Sequence, residues 1–345
     1  MNWLRGIFRL IRLPNLLFIG LTQWMLQTCI YTPIYKGLIP NNDADQFYFL
    51  LAASLLIAAG GYIINDYFDV AIDEINRPAK LVVGKIISRR WAMILHFLCS
   101  SIGLFFTFCS IRSSYQFYLV PLNFLAILML WFYSVRFKKS FLLGNLMISL
   151  LVAWTIVIFF LSKITPIELV QGEEVRQARF YQLCSLYAGF AFLSTMAREL
   201  MKDVEDREGD RRHGCKTLPI VWGIPIARFV ILLWLVLLLV LLLVVMIYLL
   251  QFKMRIAFLY ATVMLVFPLI ILIRKTAMAN HEKELSDADK LGAHAKFCSR
   301  FVSRLTEICG RTGTIVVLIN QLRYSTEKRG MQQEFVLKST GGEAI

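Results

Sequence analysis

The chain reads as an all-α integral membrane protein, a bundle of about nine transmembrane helices around a central cavity. Three observations predict this. Of 345 residues, 58% are hydrophobic, against the 45–50% or so of an ordinary soluble domain. Only 17% are charged. Several stretches, such as Ile226–Leu250 and Phe258–Ile273, leave almost no polar face for water. In lipid only a helix satisfies its own backbone, so an apolar run of about 18 residues or more reads as a spanning helix.

Hydropathy places spans near 13–31, 47–64, 91–111, 115–134, 141–162, 180–197, 225–250 and 255–273. A ninth lies near 301–320, where Arg304, Glu307 and Arg311 interrupt its first half. Arg5, Arg9 and Arg12 precede the first apolar stretch, but no small-residue cleavage site follows. A retained first helix with a basic anchor is expected. Residues 1–322 form one membrane domain in this reading, and 323–345 a polar, flexible tail.

With the N-terminus on the cytoplasmic side, the inside segments hold twenty-three Lys and Arg and the outside loops seven. Positive residues mark cytoplasmic loops, so this asymmetry sets the expected orientation. It also gives the formal charge of +14 a partner in anionic headgroups and argues against nucleic acid. The seven cysteines form no CxxC pair, and the four histidines show no zinc spacing. Small buried hydrophobes describe the cysteines better than ligands do.

Segments 65–90 and 198–224 follow the second and sixth crossings, so they share one face, the cytoplasmic one. They also hold nearly all the clustered acids. In the first, Asn65, Asp69 and Asp73 recur every four residues, with Asp66 beside them. On a helix that spacing stacks an amide and two carboxylates about 5–6 Å apart, a repulsive arrangement unless a cation sits among them. In the second, Asp203, Asp206 and Asp210 fall at i, i+3 and i+7, expected on one helical face.

Hard oxygen ligands suit Mg²⁺, which takes one or two carboxylates together with waters and phosphate oxygens. Two such faces on one side of a membrane suit two ions clamping a diphosphate, with Arg77, Lys138 and Arg212 balancing charge. The competing view is that these are ordinary solvated acids at helix ends. Matching spacing in two clusters on one face favours the functional view, since acids at membrane depth are functional candidates. Gly60-Gly61 within a span fits close helix packing.

The run Asn65-Asp66-Tyr67-Phe68-Asp69-Val70-Ala71-Ile72-Asp73, followed by Arg77-Pro78, resembles the first signature of the UbiA superfamily of intramembrane prenyltransferases. Lys202-Asp203-Val204-Glu205-Asp206-Arg207-Glu208-Gly209-Asp210, continuing to Lys216-Thr217-Leu218-Pro219, resembles the second. Tyr133 to Lys138 with Gly144-Asn145 resembles a smaller third. Within the superfamily the acidic runs look most like geranylgeranylglycerol-phosphate geranylgeranyltransferases.

The resemblance implies metal ligation by Asn65, Asp66, Asp69, Asp73, Asp206 and Asp210. It implies catalytic roles for Asp69, Asp73, Asp206 and Asp210, and substrate contacts from Arg77, Tyr133, Lys138, Asp203, Arg212 and Lys216. The expected reaction is Mg²⁺-dependent transfer of a prenyl group, geranylgeranyl first, from an allylic diphosphate to a lipid acceptor such as geranylgeranylglyceryl phosphate. An aromatic acceptor of quinone biosynthesis is the nearest alternative. An ion- or proton-coupled transporter is the alternative of another class, though transport acids more often sit near the midplane on broken helices.

Overall fold

A computed structural model of the chain describes residues 2–76, 81–164, 173–278, 323–325 and 336–338. Thirteen α-helices occur among them. They are α1 (Asn2–Leu10), α2 (Leu13–Met25), α3 (Thr32–Ile34), α4 (Asp43–Asn76), α5 (Arg89–Cys109), α6 (Leu119–Val135) and α7 (Leu143–Ser162). After them come α8 (Glu173–Glu205), α9 (Arg207–Arg212), α10 (Leu218–Val221), α11 (Gly223–Gln251), α12 (Arg255–Ala261) and α13 (Phe267–Met278). In the expected tail, β1 (Arg323–Ser325) and β2 (Val336–Lys338) pair antiparallel. The expected ninth span, 301–320, lies outside the described residues, as do Arg77 and Pro78.

Six of the helical segments are long and apolar enough to cross a membrane: Asp43–Glu74, Arg89–Cys109, Ser114–Val135, Leu143–Ser162, Gly223–Gln251 and Arg255–Met278. Two expected spans differ in kind. The first gives way from α-helix to a π segment at Leu26–Tyr31. The sixth is embedded in the 33-residue α8, whose charged ends extend it well beyond the apolar stretch at 180–197.

The contacts divide the chain into two compact units. One comprises Met1–Thr195 with Glu208–Thr217, the other Met196–Arg207 with Leu218–Ile345. In the first, α4 is the central element, packing most extensively on α5 and then on α6. Its Gly60 lies where a Cβ would come within 3.0 Å of Ser100 Oγ and 3.5 Å of the His96 carbonyl oxygen, both on α5. The pair Gly60-Gly61 therefore serves close helix approach. Apolar side chains such as Phe97, Phe105 and Phe108 of α5 are exposed, a surface that suits lipid rather than water. In the second unit α11 packs on α13 and exposes Leu233, Leu237, Val240, Val244 and Ile247 in the same manner.

Several buried polar groups within the first unit are paired across helices, which offsets the cost of low dielectric. Gln23 Nε2 of α2 donates to Ser54 Oγ of α4 at 2.9 Å and to the Thr155 carbonyl of α7 at 2.7 Å. Asn123 Nδ2 of α6 donates to Thr107 Oγ1 of α5 at 2.9 Å.

At the start of α4, Asp43 meets Lys163 at 2.9 Å. Burial pulls Lys163 down to about 8 even though Asp43 opposes the shift. This cluster is twenty-six residues before Asp69 on α4, a contour of about 39 Å at 1.5 Å per residue. Since the hydrocarbon core is about 30 Å thick, the two ends of α4 belong to opposite faces.

Candidate active site

The last turns of α4 carry the first acidic motif. Leu50–Ile64 are mostly apolar and buried or half-buried, and the helix continues unbroken into Asn65, Asp69 and Asp73. Asn65 and Asp69 are buried, at 9% and 4% exposure. The amide Nδ2 of Asn65 donates to Asp69 Oδ2 at 2.8 Å. Its other end is telling. Asn65 Oδ1 is buried and has no hydrogen-bond partner, which is costly for a polar atom held away from water. An orphaned amide oxygen beside a carboxylate is a hard-ligand pair of the type Mg²⁺ takes.

Lys138, in the short 3-10 turn Phe137–Lys139 between α6 and α7, forms a salt bridge with Asp69. Burial works against its charge, but Asp69 and then Tyr133, with a smaller contribution from Asp73, outweigh this and hold the ammonium above its ordinary range. Tyr133 is itself buried at the end of α6. Gly144, in the first turn of α7, lets the turn sit close. A Cβ there would stand 2.7 Å from the Phe137 carbonyl oxygen and 3.0 Å from Lys138 Cα. Gly144→Ala should therefore cost about 1–3 kcal/mol as an overpacking change and lower turnover at the site by displacing Lys138. Wild-type turnover in a monodisperse variant would show that the position of the turn does not matter.

The second motif contributes Asp210 to the same unit. It is buried, at 9% exposure, and its carbonyl accepts from the Cys215 N–H at 3.0 Å. The next residue, Lys216, donates its backbone N–H to the Lys139 carbonyl at 2.9 Å, so segment 208–217 is stitched to the basic turn. Burial pushes the Cys215 thiol up to about 11, helped by Asp210 and Asp69 and opposed by Lys139 and Lys138.

Other expected residues are placed differently. Asp203, Asp206 and Asp210 do not share one continuous helical face. Helix α8 stops at Glu205, Asp206 sits in a turn with its N–H on the Lys202 carbonyl at 2.9 Å, and α9 begins at Arg207. Asp is a poor helix-interior residue and a favoured one just before a helix start, which suits a break at this position. Asp203 and Asp206, both half-buried, belong to the other unit. Arg212 is exposed and pairs with Glu208 at 2.9 Å. The Lys216 side chain is exposed.

Asp66, expected among the metal ligands, lies one residue round the helix from Asn65 and accepts from Arg12 Nη2 at 2.8 Å. Arg12 was legible only as one of three basic residues ahead of the first span. Among the described residues no three His, Cys, Asp or Glu side chains gather into a metal cage. Together with an Asn oxygen and phosphate oxygens, a site built on fewer carboxylates still matches Mg²⁺ coordination.

The UbiA prenyltransferase family model matches residues 28–288. The chain belongs to this family. It is accordingly a multi-pass membrane prenyltransferase. Among curated relatives, the digeranylgeranylglyceryl phosphate synthase of Thermococcus sibiricus is 30% identical over 222 residues, covering 64% of this chain and 70% of that one. The synthase of the same name from Methanothermobacter thermautotrophicus is 38% identical over 193 residues, 53% of this chain and 58% of its own. Among solved structures, one of digeranylgeranylglyceryl phosphate synthase in membranes aligns with a TM-score of 0.57 at 21% identity, over 89% of this chain and 96% of that one. A UbiA homologue from Archaeoglobus fulgidus bound to GPP and Mg²⁺ aligns at 0.53 and 16% identity, over 88% and 99%. These likenesses establish the shared UbiA fold.

Proposed function

We propose that this UbiA prenyltransferase moves a geranylgeranyl group from its diphosphate to the free hydroxyl of geranylgeranylglyceryl phosphate, with Mg²⁺, on the cytoplasmic face. The observation that carries the metal dependence is the buried, partnerless Asn65 Oδ1 against Asp69. The names of the relatives at 30–38% identity support the acceptor. The excess of Lys and Arg in segments that include 65–90 and 198–224 supports the cytoplasmic assignment.

Asn65, Asp69 and Asp73 on α4, with Asp210 from the second motif in the same unit, are the residues proposed to hold Mg²⁺. When bound, Mg²⁺ supplies charge that stabilises the departing diphosphate. Lys138 adds a fixed cation beside Asp69, preorganised for the charge that develops as the leaving group departs. Tyr133, which interacts with Lys138, and the segment carrying Arg212 and Lys216 are proposed to border the diphosphate, as is Arg77.

The allylic C–O bond breaks and the electron pair leaves with the diphosphate. The acceptor hydroxyl oxygen then bonds to the allylic carbon and its proton is released, giving an ether. The apolar interior of the bundle excludes the water that would otherwise capture the cation.

Purified protein in lipid nanodiscs should form the digeranylgeranyl ether from labelled geranylgeranyl diphosphate and geranylgeranylglyceryl phosphate. EDTA should abolish product, and added Mg²⁺ should restore it. Product from 4-hydroxybenzoate and none from the glycerophosphate would move the acceptor to the aromatic class. EDTA-insensitive turnover would remove the metal from the reading.

A further inference from the structure

Arg12 stands fifty-four residues from Asp66 in sequence, yet its guanidinium makes two contacts on one flank of α4. Nη2 donates to Asp66 Oδ1 at 2.8 Å, and the same group lies 5.0 Å from the centroid of the Tyr62 ring. Tyr62 and Asp66 are four residues apart on a continuous helix, so they share a face. Asp66 stands three residues before Asp69 and seven before Asp73, so at about 100° of rotation per residue it borders the face bearing Asn65, Asp69 and Asp73. A planar guanidinium can stack on a ring while its edge meets a carboxylate; an ammonium cannot do both as well.

The backbone supports a fixed role. Arg12 joins α1 to α2 in the left-handed region, at φ 50° and ψ 57°, a conformation that side-chain-bearing residues adopt sparingly and retain where their surroundings dictate it. Those surroundings include α4 itself. Leu10 is fully buried in a cluster with Ile63 of α4 and with Val82, Val83 and Ile87 of the segment that follows it. The turn that aims Arg12 is thus anchored to the helix that presents Asp66.

We infer that Arg12 is a positioning residue: it holds the Asp66 carboxylate on the flank of α4 and cancels its charge, so that a bound diphosphate meets Asp69 and Asp73 without a third, mobile acid. The inference rests on the proposed diphosphate site at the end of α4. Without Arg12, Asp66 is an additional negative charge one turn from Asp69, free to swing toward the site and repel the substrate.

A double-mutant cycle tests this, reading KM for the prenyl diphosphate and kcat separately at saturating Mg²⁺ in nanodiscs. Arg12→Gln should raise KM about tenfold, the equivalent of one lost charge pairing, with a smaller change in kcat. Adding Asp66→Asn to Arg12→Gln should bring KM back to within about threefold of wild type, because the acid to be held is gone. Arg12→Lys, which keeps the charge but not the stacking, should fall between wild type and Arg12→Gln. It also replaces Arg12→Gln in the cycle should that variant not remain monodisperse.

An unchanged KM in Arg12→Gln overturns the inference. So does a double variant as impaired as the single one, which would make Arg12 a direct substrate contact or a purely structural residue. The cycle reads the diphosphate side with any acceptor the enzyme uses, so it fails or stands independently of the glycerophosphate assignment.

Discussion

Asp69→Asn is expected to lower prenyl-transfer turnover by about 10²-fold or more, the scale of losing one preorganised electrostatic group. The substitution keeps the shape of a side chain that is only 4% exposed, so packing on α4 is preserved. What it removes is the charge that two neighbours depend on. Asn65 Nδ2 donates to Asp69 Oδ2 at 2.8 Å, and Lys138 pairs with the same oxygen. With Asn at 69, the amide of Asn65 no longer faces a carboxylate, and Lys138 keeps only Tyr133 and the smaller influence of Asp73. The Mg²⁺ concentration for half-maximal rate should rise along with the loss in kcat. Glu74→Gln, at an exposed position five residues further along α4, is the matched control and should stay near wild type. Turnover within about threefold of wild type in Asp69→Asn at saturating Mg²⁺ would place the metal elsewhere, since no key electrostatic group would have been lost.

Much of this site was readable because its signal is local. Asn65, Asp69 and Asp73 recur at the spacing of a helix turn, and they continue the apolar run Leu50–Ile64 of the same helix, so both face and end were set by residues within one element. The membrane class and six of the spans follow from the same short-range pattern. Long-range pairings carry no such signal. A basic residue ahead of a first span reads as an anchor, and nothing near Arg12 in sequence announces a left-handed turn or a partner on α4. The 3-10 turn that brings Lys138 to Asp69 depends on Gly144, whose need for space appears only when the Phe137 carbonyl lies 2.7 Å from where a Cβ would be. The second motif shows a limit of periodicity. Spacing alone put Asp203, Asp206 and Asp210 on one face, whereas local competition between helix and turn at Asp206 divides them.

The far end of α4 was likewise hidden, because hydropathy trims a helix at its first charge. The span near 47–64 begins after Asp43, and the one near 141–162 ends before Lys163, so both charges read as loop residues. In the folded chain their side chains are 6% and 1% exposed and 2.9 Å apart. Gln27 Nε2, presented by the π segment, donates to Asp43 Oδ2 at 2.5 Å, Arg112 Nη1 lies 3.6 Å from Asp43 Oδ1, and Lys163 Nζ lies 4.7 Å from the Tyr31 ring centroid.

Asp43 therefore pairs with two cations, Lys163 and Arg112. Removing one partner of a buried pair costs about 3–5 kcal/mol, mostly the penalty of the charge left behind. Asp43→Asn should approach that loss and lower the thermal midpoint in detergent clearly. Lys163→Met should cost less, because Arg112 and Gln27 still serve Asp43.

The two variants also differ with pH. Lys163 holds its proton up to about 8 in the folded chain and up to its ordinary 10.5 when unfolded. Between those values the unfolded chain binds a proton that the folded chain does not, so stability from this group rises with pH across that window and is flat below about 8. Lys163→Met should lack this rise, so its deficit relative to wild type should widen as the pH is raised from 8 toward 10. A deficit that stays constant over that range would mean Lys163 does not titrate there. A midpoint unchanged in Asp43→Asn would mean that the buried cluster does not hold this end of the bundle together.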